Sequence, residues 1–233
     1  MDKPAIHAAE DFVHAGYPRD AEALLIVEID GPELEVDHLI GRVEAIARQN
    51  QAMSLRISES EEQRLVFWAG RKAAFPAVGR ISPDYYCVDP TIPRKRLPDV
   101  LKRMSELAAQ HGLRVANVFH AGDGNLHPLI LYDANKPGEL EAAEACGADI
   151  LRYCVEVGGV LTGEHGVGVE KRDLMGTMFN EADLNQQLRV KCAFDPQGLL
   201  NPGKAFPELH RCAELGRLHV HHGQVPHPGI ERL

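Results

Sequence analysis

The stretch RVANVFHAGDGNLHPLILY, residues 114–132, decides the fold. Its two ends are rich in apolar and β-branched residues, and Gly122-Asp123-Gly124-Asn125 between them are turn formers. Arg114 to His120 and Leu126 to Tyr132 therefore read as two strands of a hairpin. A hairpin implies antiparallel neighbours, because parallel strands need a crossover of about a dozen residues or more.

Working outward, Tyr85 to Pro93 reads as another strand, frayed by Pro90 and Pro93. Leu101, Met104, Leu107 and Ala108 mark a helix ended by His111-Gly112. Residues 137–157 read as a long helix, and Leu174 to Ala193 as mostly helical. Nearer the N-terminus, residues 1–17 and 34–49 show helical spacing of apolar positions. Ala23 to Ile29 and Ser54 to Ser58 read as two further strands. Ser58 or Ser60 would cap a helix carrying Leu65, Val66, Trp68 and Ala69. The expected fold is α+β: a ferredoxin-like plait whose antiparallel or mixed sheet is flanked by helices.

The chain has 233 residues, ample for a real core. Its 25 Lys and Arg against 34 Asp and Glu give a net charge of −9, which argues against a nucleic-acid partner. The longest apolar run, Ala23 to Val27, is too short to span a bilayer. The first residues do not read as a signal peptide. With five scattered cysteines lacking CxxC spacing, the expected setting is a reducing cytoplasm. No Walker A or GxGxxG follows a strand, so a dinucleotide site built wholly from this chain is not expected. The unusual count is twelve histidines, five of them between His210 and His227.

Two segments concentrate chemistry. His120 and His127 flank the hairpin turn, where two imidazoles would supply half of a transition-metal site. HxxxxxxH is not a specific metal signature, so spacing alone favours one core histidine and one turn cap, and Asp123 reads as a turn residue. In Gly163-Glu164-His165-Gly166 an adjacent carboxylate and imidazole sit between glycines that free the backbone. Regular strand geometry would point them to opposite faces, whereas a glycine-flanked loop lets them converge. Glu164 as a third ligand and His165 as a general base is one reading; a solvated surface pair is the other. Combined, two imidazoles and a carboxylate would leave a divalent metal with open positions for a 2-hydroxy acid. A histidine suits transfer of the hydroxyl proton near neutral pH, and the hydride would need an acceptor such as a flavin. Arg71 could clasp a carboxylate bidentately or simply end a solvated basic helix. Arg94-Lys95-Arg96 reads as a solvated loop, and Tyr85 and Tyr86 as pocket lining or packing.

The strings FHAGDGNLHP (119–128), GGVLTGEHGVGVEK (158–171) and FDPQGLLNPGK (194–204) resemble the C-terminal half of FAD-linked 2-hydroxy-acid dehydrogenases. That family includes D-lactate and D-2-hydroxyglutarate dehydrogenases and the flavoprotein subunits of glycolate oxidase. FWAGRKAAFPAVGRISPDYYCVDPTIPR (67–94) and LHRCAELGRLHVHHG (209–223) are most similar to the glycolate oxidase branch, its D subunits.

The resemblance implies a cap and substrate domain over residues 1–194. Residues 195–233 would return to an FAD-binding domain missing from this chain. It implies a divalent metal (zinc, iron or manganese) on His120, His127 and Glu164, with His165 as base. Arg71 would hold the substrate carboxylate, and Asn201 would touch FAD. The implied reaction takes glycolate or D-lactate to the 2-oxo acid, and the chain alone would be inactive. Further implied partners are a second flavin-domain-like subunit and an iron–sulfur subunit, which would place the chain at the inner face of the membrane. A homo-oligomer formed through an exposed sheet surface is also allowed.

Two departures matter. No lysine stands near Tyr86-Cys87, and position 129 is Leu129, where relatives that use diacids can carry polar residues; both favour a small hydroxy acid. The sequence also allows two other readings: a non-catalytic assembly module using the His-rich tail, and a metal-dependent hydrolase, which lacks an HExxH pattern.

Overall fold

The computed structural model describes residues 1–207. The His210–His227 cluster and the 209–223 string lie outside the described residues. The elements run α1 (Lys3–Val13), α2 (Glu33–Gln49), α3 (Glu61–Val78), β1 (Asp84–Cys87), α4 (Leu97–Gln110), β2 (Arg114–Asn117), β3 (Pro128–Tyr132), α5 (Glu139–Glu156), α6 (Met175–Met178) and α7 (Glu181–Phe194). The sheet order is β1-β3-β2, with both pairings antiparallel. The hairpin forms with Val115 opposite Ile130 and Ala116 opposite Leu129. This is the expected α+β class, and β1-α4-β2-β3-α5 follows the order of a plait up to its last strand. After α5 the chain returns at a single antiparallel bridge, Val160 to Thr91.

The described chain forms two compact units interleaved in sequence. The first comprises residues 1–87, 104–120 and 127–146, and the second 88–103, 121–126 and 147 onward.

In the first unit α1 and α3 cover one face of the sheet. Ala5, Ala8 and Ala9 of α1 and Ala74, Ala77 and Val78 of α3 cluster with Ala116, Val118, Leu129 and Leu131. Side chains alternate along a strand, so Leu129 and Leu131 share this face. Burying each stabilises the fold by about 1.5–3 kcal/mol. Small residues let the helices come close, and at Gly70 a Cβ would stand 2.2 Å from the Tyr17 ring. Asp2 joins α1 to the sheet: Oδ1 accepts from the Ala5 amide, and Oδ2 accepts from Asn117 N and Nδ2 at 2.9 and 2.8 Å. Burial pushes the Asp2 carboxyl up, against the Asn117 hydrogen bonds that pull it down. Ser60 caps α3, its hydroxyl accepting from the Gln63 amide.

The strands expected at 23–29 and 54–58 are not in the sheet. Leu24 and Ile26 are half-buried and Leu25 and Val27 exposed, so the alternation of an extended chain is present. Backbone pairing in 23–29 is confined to the end, at the Asp2–Ala23 bridge and the bond from Leu24 N to Met1 O. Alternation records which way side chains face; a ladder needs a neighbouring strand as well. The apolar stripe of α2 is half-buried, with none of its residues fully covered.

In the second unit Asn180 caps α7, and Asp195 closes its far end. Asp195 takes the Lys191 ammonium at 2.5 Å and the amides of Leu199 and Leu200 at 2.9 Å. The Lys191 hydrogen bond, opposed by burial and helped by these amides, holds its carboxyl below the usual range. No helix among the described residues is long and apolar enough to cross a membrane.

Candidate active site

The hairpin delivers the first pair of site residues. His120 is exposed and His127 only 3% exposed. Their rings meet edge to face, with centroids 5.5 Å apart and planes at 85°. His127 precedes Leu129 by two residues, on the side facing α3, where its ring meets Phe75 at 6.2 Å. Phe75 also stands edge-on to Tyr85, so Tyr85 is part of an aromatic wall beside His127. Arg71, half-buried, is one turn before Phe75 and therefore on the same face of α3. Each ring offers a nitrogen donor of the kind that divalent transition metals take. The donor chemistry of the pair thus fits a divalent transition metal.

The second unit supplies the other motif. Its backbone is stitched by residues 89–92. Ile92 N donates to Gly124 O at 2.9 Å and Leu126 N to Pro90 O at 2.8 Å, while Thr91 bridges both Asn125 and Val160. Gly124 has φ +75°, and a Cβ there would lie 2.2 Å from Ile92 O. Glycine is required for both reasons.

Asp89, fully buried, organises the loop that carries Glu164 and His165. Its Oδ2 accepts from the amides of Gly163, Glu164 and His165 at 3.1, 2.8 and 2.7 Å. The Thr162 hydroxyl stands 3.1 Å from both Asp89 oxygens. Lys171, 1% exposed, pairs with Asp89 Oδ1 and donates to Gly166 O at 3.2 Å. Gly163 is packed so tightly that a Cβ would come within 2.5 Å of Thr91 Oγ1 and 2.6 Å of the Asn125 side chain. The side chains of Glu164 and His165 stay 53% and 47% exposed, with His165 Nε2 3.8 Å from Glu164 Oε1. The glycine-flanked loop thus brings the two functional groups side by side, where a regular strand would part them.

Asn201 lies beyond α7, exposed and at φ +46°. Its segment returns to the loop's far end: Ala205 N donates to Gly168 O at 2.8 Å, and Arg172 Nη1 to Gly203 O at 3.0 Å.

Asp89 and Lys171 were not singled out by the sequence reading. The available signal was an aspartate between Val88 and Pro90, with the preceding strand supplying apolar context, and a lysine closing the GEHGVGVEK run. Neither pattern says that the two meet.

Solved structures show a likeness of fold. The fold is similar to 4-ethylphenol oxidase from Gulosibacter chungangensis in its isoeugenol complex. The match has a TM-score of 0.56 and 20% identity over 76% of this chain and 38% of that one, a likeness of fold alone. Sequence then gives the family. Residues 1–205 match the model of FAD linked oxidases, C-terminal domain, and the chain belongs to that family. It is 59% identical to glycolate oxidase subunit GlcD of Escherichia coli (strain K12) over all of this chain and 47% of that protein. It is 34% identical to GlcD of Bacillus subtilis (strain 168) over 88% of this chain and 44% of that protein. The mitochondrial D-lactate dehydrogenase [cytochrome] of Kluyveromyces lactis is 32% identical over 73% of this chain and 30% of that protein. The chain spans about half the length of the GlcD relatives it matches, and less of the third.

Proposed function

We propose that this chain is the substrate and metal side of an FAD-linked oxidoreductase acting on a small 2-hydroxy acid, glycolate or D-lactate. The observation that carries the reading is the imidazole pair at the hairpin mouth, 5.5 Å between ring centroids. His120, His127 and Glu164 would hold a divalent metal (zinc, iron or manganese), and Asn201 would touch FAD held by a separate FAD-binding domain. When bound, the metal supplies polarisation of the substrate hydroxyl and the flavin supplies a hydride acceptor. Arg71 orients the substrate through its carboxylate. His165 takes the hydroxyl proton as the 2-oxo acid forms, beside Glu164 in its role as metal ligand. The absence of a lysine near Tyr86-Cys87 favours a small monoacid.

The likeness to GlcD supports assembly into a multi-subunit oxidase, with a second flavin-domain-like subunit and an iron–sulfur subunit as proposed partners. A cytoplasmic position at the inner membrane face through those partners belongs to the same proposal. In the test, the chain is assembled with the FAD-binding half of a relative and given glycolate or D-lactate without oxygen. Bleaching of the flavin by either acid is expected, and flavin that stays oxidised with both contradicts the proposal.

A further inference from the structure

We infer that Asp89 and Lys171 are positioning residues, whose buried ion pair fixes the backbone of residues 162–166 so that Glu164 and His165 project from it together. This deepens the reading above, since it rests on Glu164 and His165 doing the chemistry.

Both side chains are sealed from solvent, at 0% and 1% exposure. A buried ion pair is a poor device for stability, because an apolar pair of similar volume serves at least as well. Its geometric effect is larger. One oxygen of Asp89 gathers three successive amides, those of Gly163, Glu164 and His165. Consecutive N–H groups turned onto one acceptor form a concave nest, which fixes the dihedrals of the residues that line it. Thr162 and Lys171 each tie Asp89 to Gly166 O, so both ends of the loop close on the same carboxylate. Apart from the His165 ring, whose Nδ1 stands 3.8 Å from Asp89 Oδ1, these ties use backbone, one hydroxyl and one ammonium, and they leave the Glu164 and His165 side chains half-exposed. The following residues, Pro90 to Ile92, bind the 121–126 turn through Ile92 N to Gly124 O and Leu126 N to Pro90 O. A single segment, 89–92, therefore sets the backbone of both motif loops, although it belongs to neither.

The test compares wild type with Asp89→Asn/Lys171→Met and with Thr162→Val. The double variant strands neither ion and keeps an amide-accepting oxygen. Thr162→Val removes one hydroxyl, and decides the matter where the double variant fails to melt cooperatively. Two quantities are read: hydrogen exchange at the amides of Gly163, Glu164 and His165, and Zn2+ affinity in competition with a chelating dye. In the folded double variant, exchange should quicken at least about tenfold at these amides, and Zn2+ affinity should fall about 10–100-fold. Thr162→Val should move both in the same direction by a few-fold. Unchanged exchange overturns the inference. So does faster exchange with unchanged affinity, which would make the pair a stabilising element only. If wild type binds neither Zn2+, Mn2+ nor Fe2+, the metal reading fails separately, and the positioning claim then stands only if exchange quickens at the amides of Gly163, Glu164 and His165 and not across the rest of the chain.

Discussion

Gly159 shows how little room the site leaves at single residues. A Cβ there would stand 2.4 Å from Thr91 O and 2.7 Å from Cys154 O, both backbone atoms that cannot rotate away. Gly159→Ala should therefore cost about 3 kcal/mol, seen as a lower urea midpoint. Gly122, with open space around it, makes the contrast. Gly122→Ala should stay within about 0.5 kcal/mol of wild type. Equal midpoints for the two variants would show that the 158–160 backbone is not held against Thr91. The Asp89–Lys171 pair makes a second residue-scale prediction. Lys171→Met alone leaves a buried carboxylate without its cation and should cost about 3–5 kcal/mol. Adding Asp89→Asn should recover much of that loss. Additive losses in a double-mutant cycle would mean the two charges do not act as a pair.

At the scale of elements, the hairpin was legible because two apolar runs and a Gly-Asp-Gly-Asn turn sit next to each other in sequence. The helices were legible from spacing and caps: Ser60 lies one residue before α3, and Gly112, at φ +72°, lies just past α4. The segment 23–29 misled because period-two alternation survives in an extended chain that lacks a strand partner, and 54–58 because its sequence alternates while Ile57 stays exposed. His120, His127, Glu164 and His165 were legible as residue types in glycine-rich loops. Asp89 was not, since its role depends on a lysine and three amides more than seventy residues away in sequence. The α7 terminus carries a pH prediction. Asp195 has its carboxyl held below the usual range, chiefly by the Lys191 ammonium, so the folded state binds its proton less readily than the unfolded chain. Its stabilisation is complete above about pH 4 and disappears as pH falls through the depressed value. The gap in melting temperature between wild type and Asp195→Asn should be open near neutrality and close in acid. A gap independent of pH would show that the carboxylate's charge does not matter there.

At the scale of the whole molecule, the chain corresponds to 47% of the E. coli GlcD protein, so its chemistry is proposed as one side of a shared site. Purified alone, residues 1–233 should lack the visible absorbance of stoichiometric flavin, because the proposed function assigns most of the FAD contacts to an FAD-binding domain and only Asn201 to these residues. A yellow preparation with one flavin per chain would contradict that division of labour. Among the apolar residues exposed on the first unit are Leu25 at 70%, Val27 at 50% and Ile57 at 43%, which lie in the 23–29 and 54–58 stretches where the expected strands did not form. The central claim concerns the imidazole pair and the carboxylate that would complete it. It is tested most directly by elemental analysis of the purified chain after dialysis against trace divalent metals. Wild type is expected to retain about one metal ion per chain, and His120→Ala, His127→Ala and Glu164→Gln to lose it while still melting cooperatively. Equal metal content in wild type and all three variants would contradict the account.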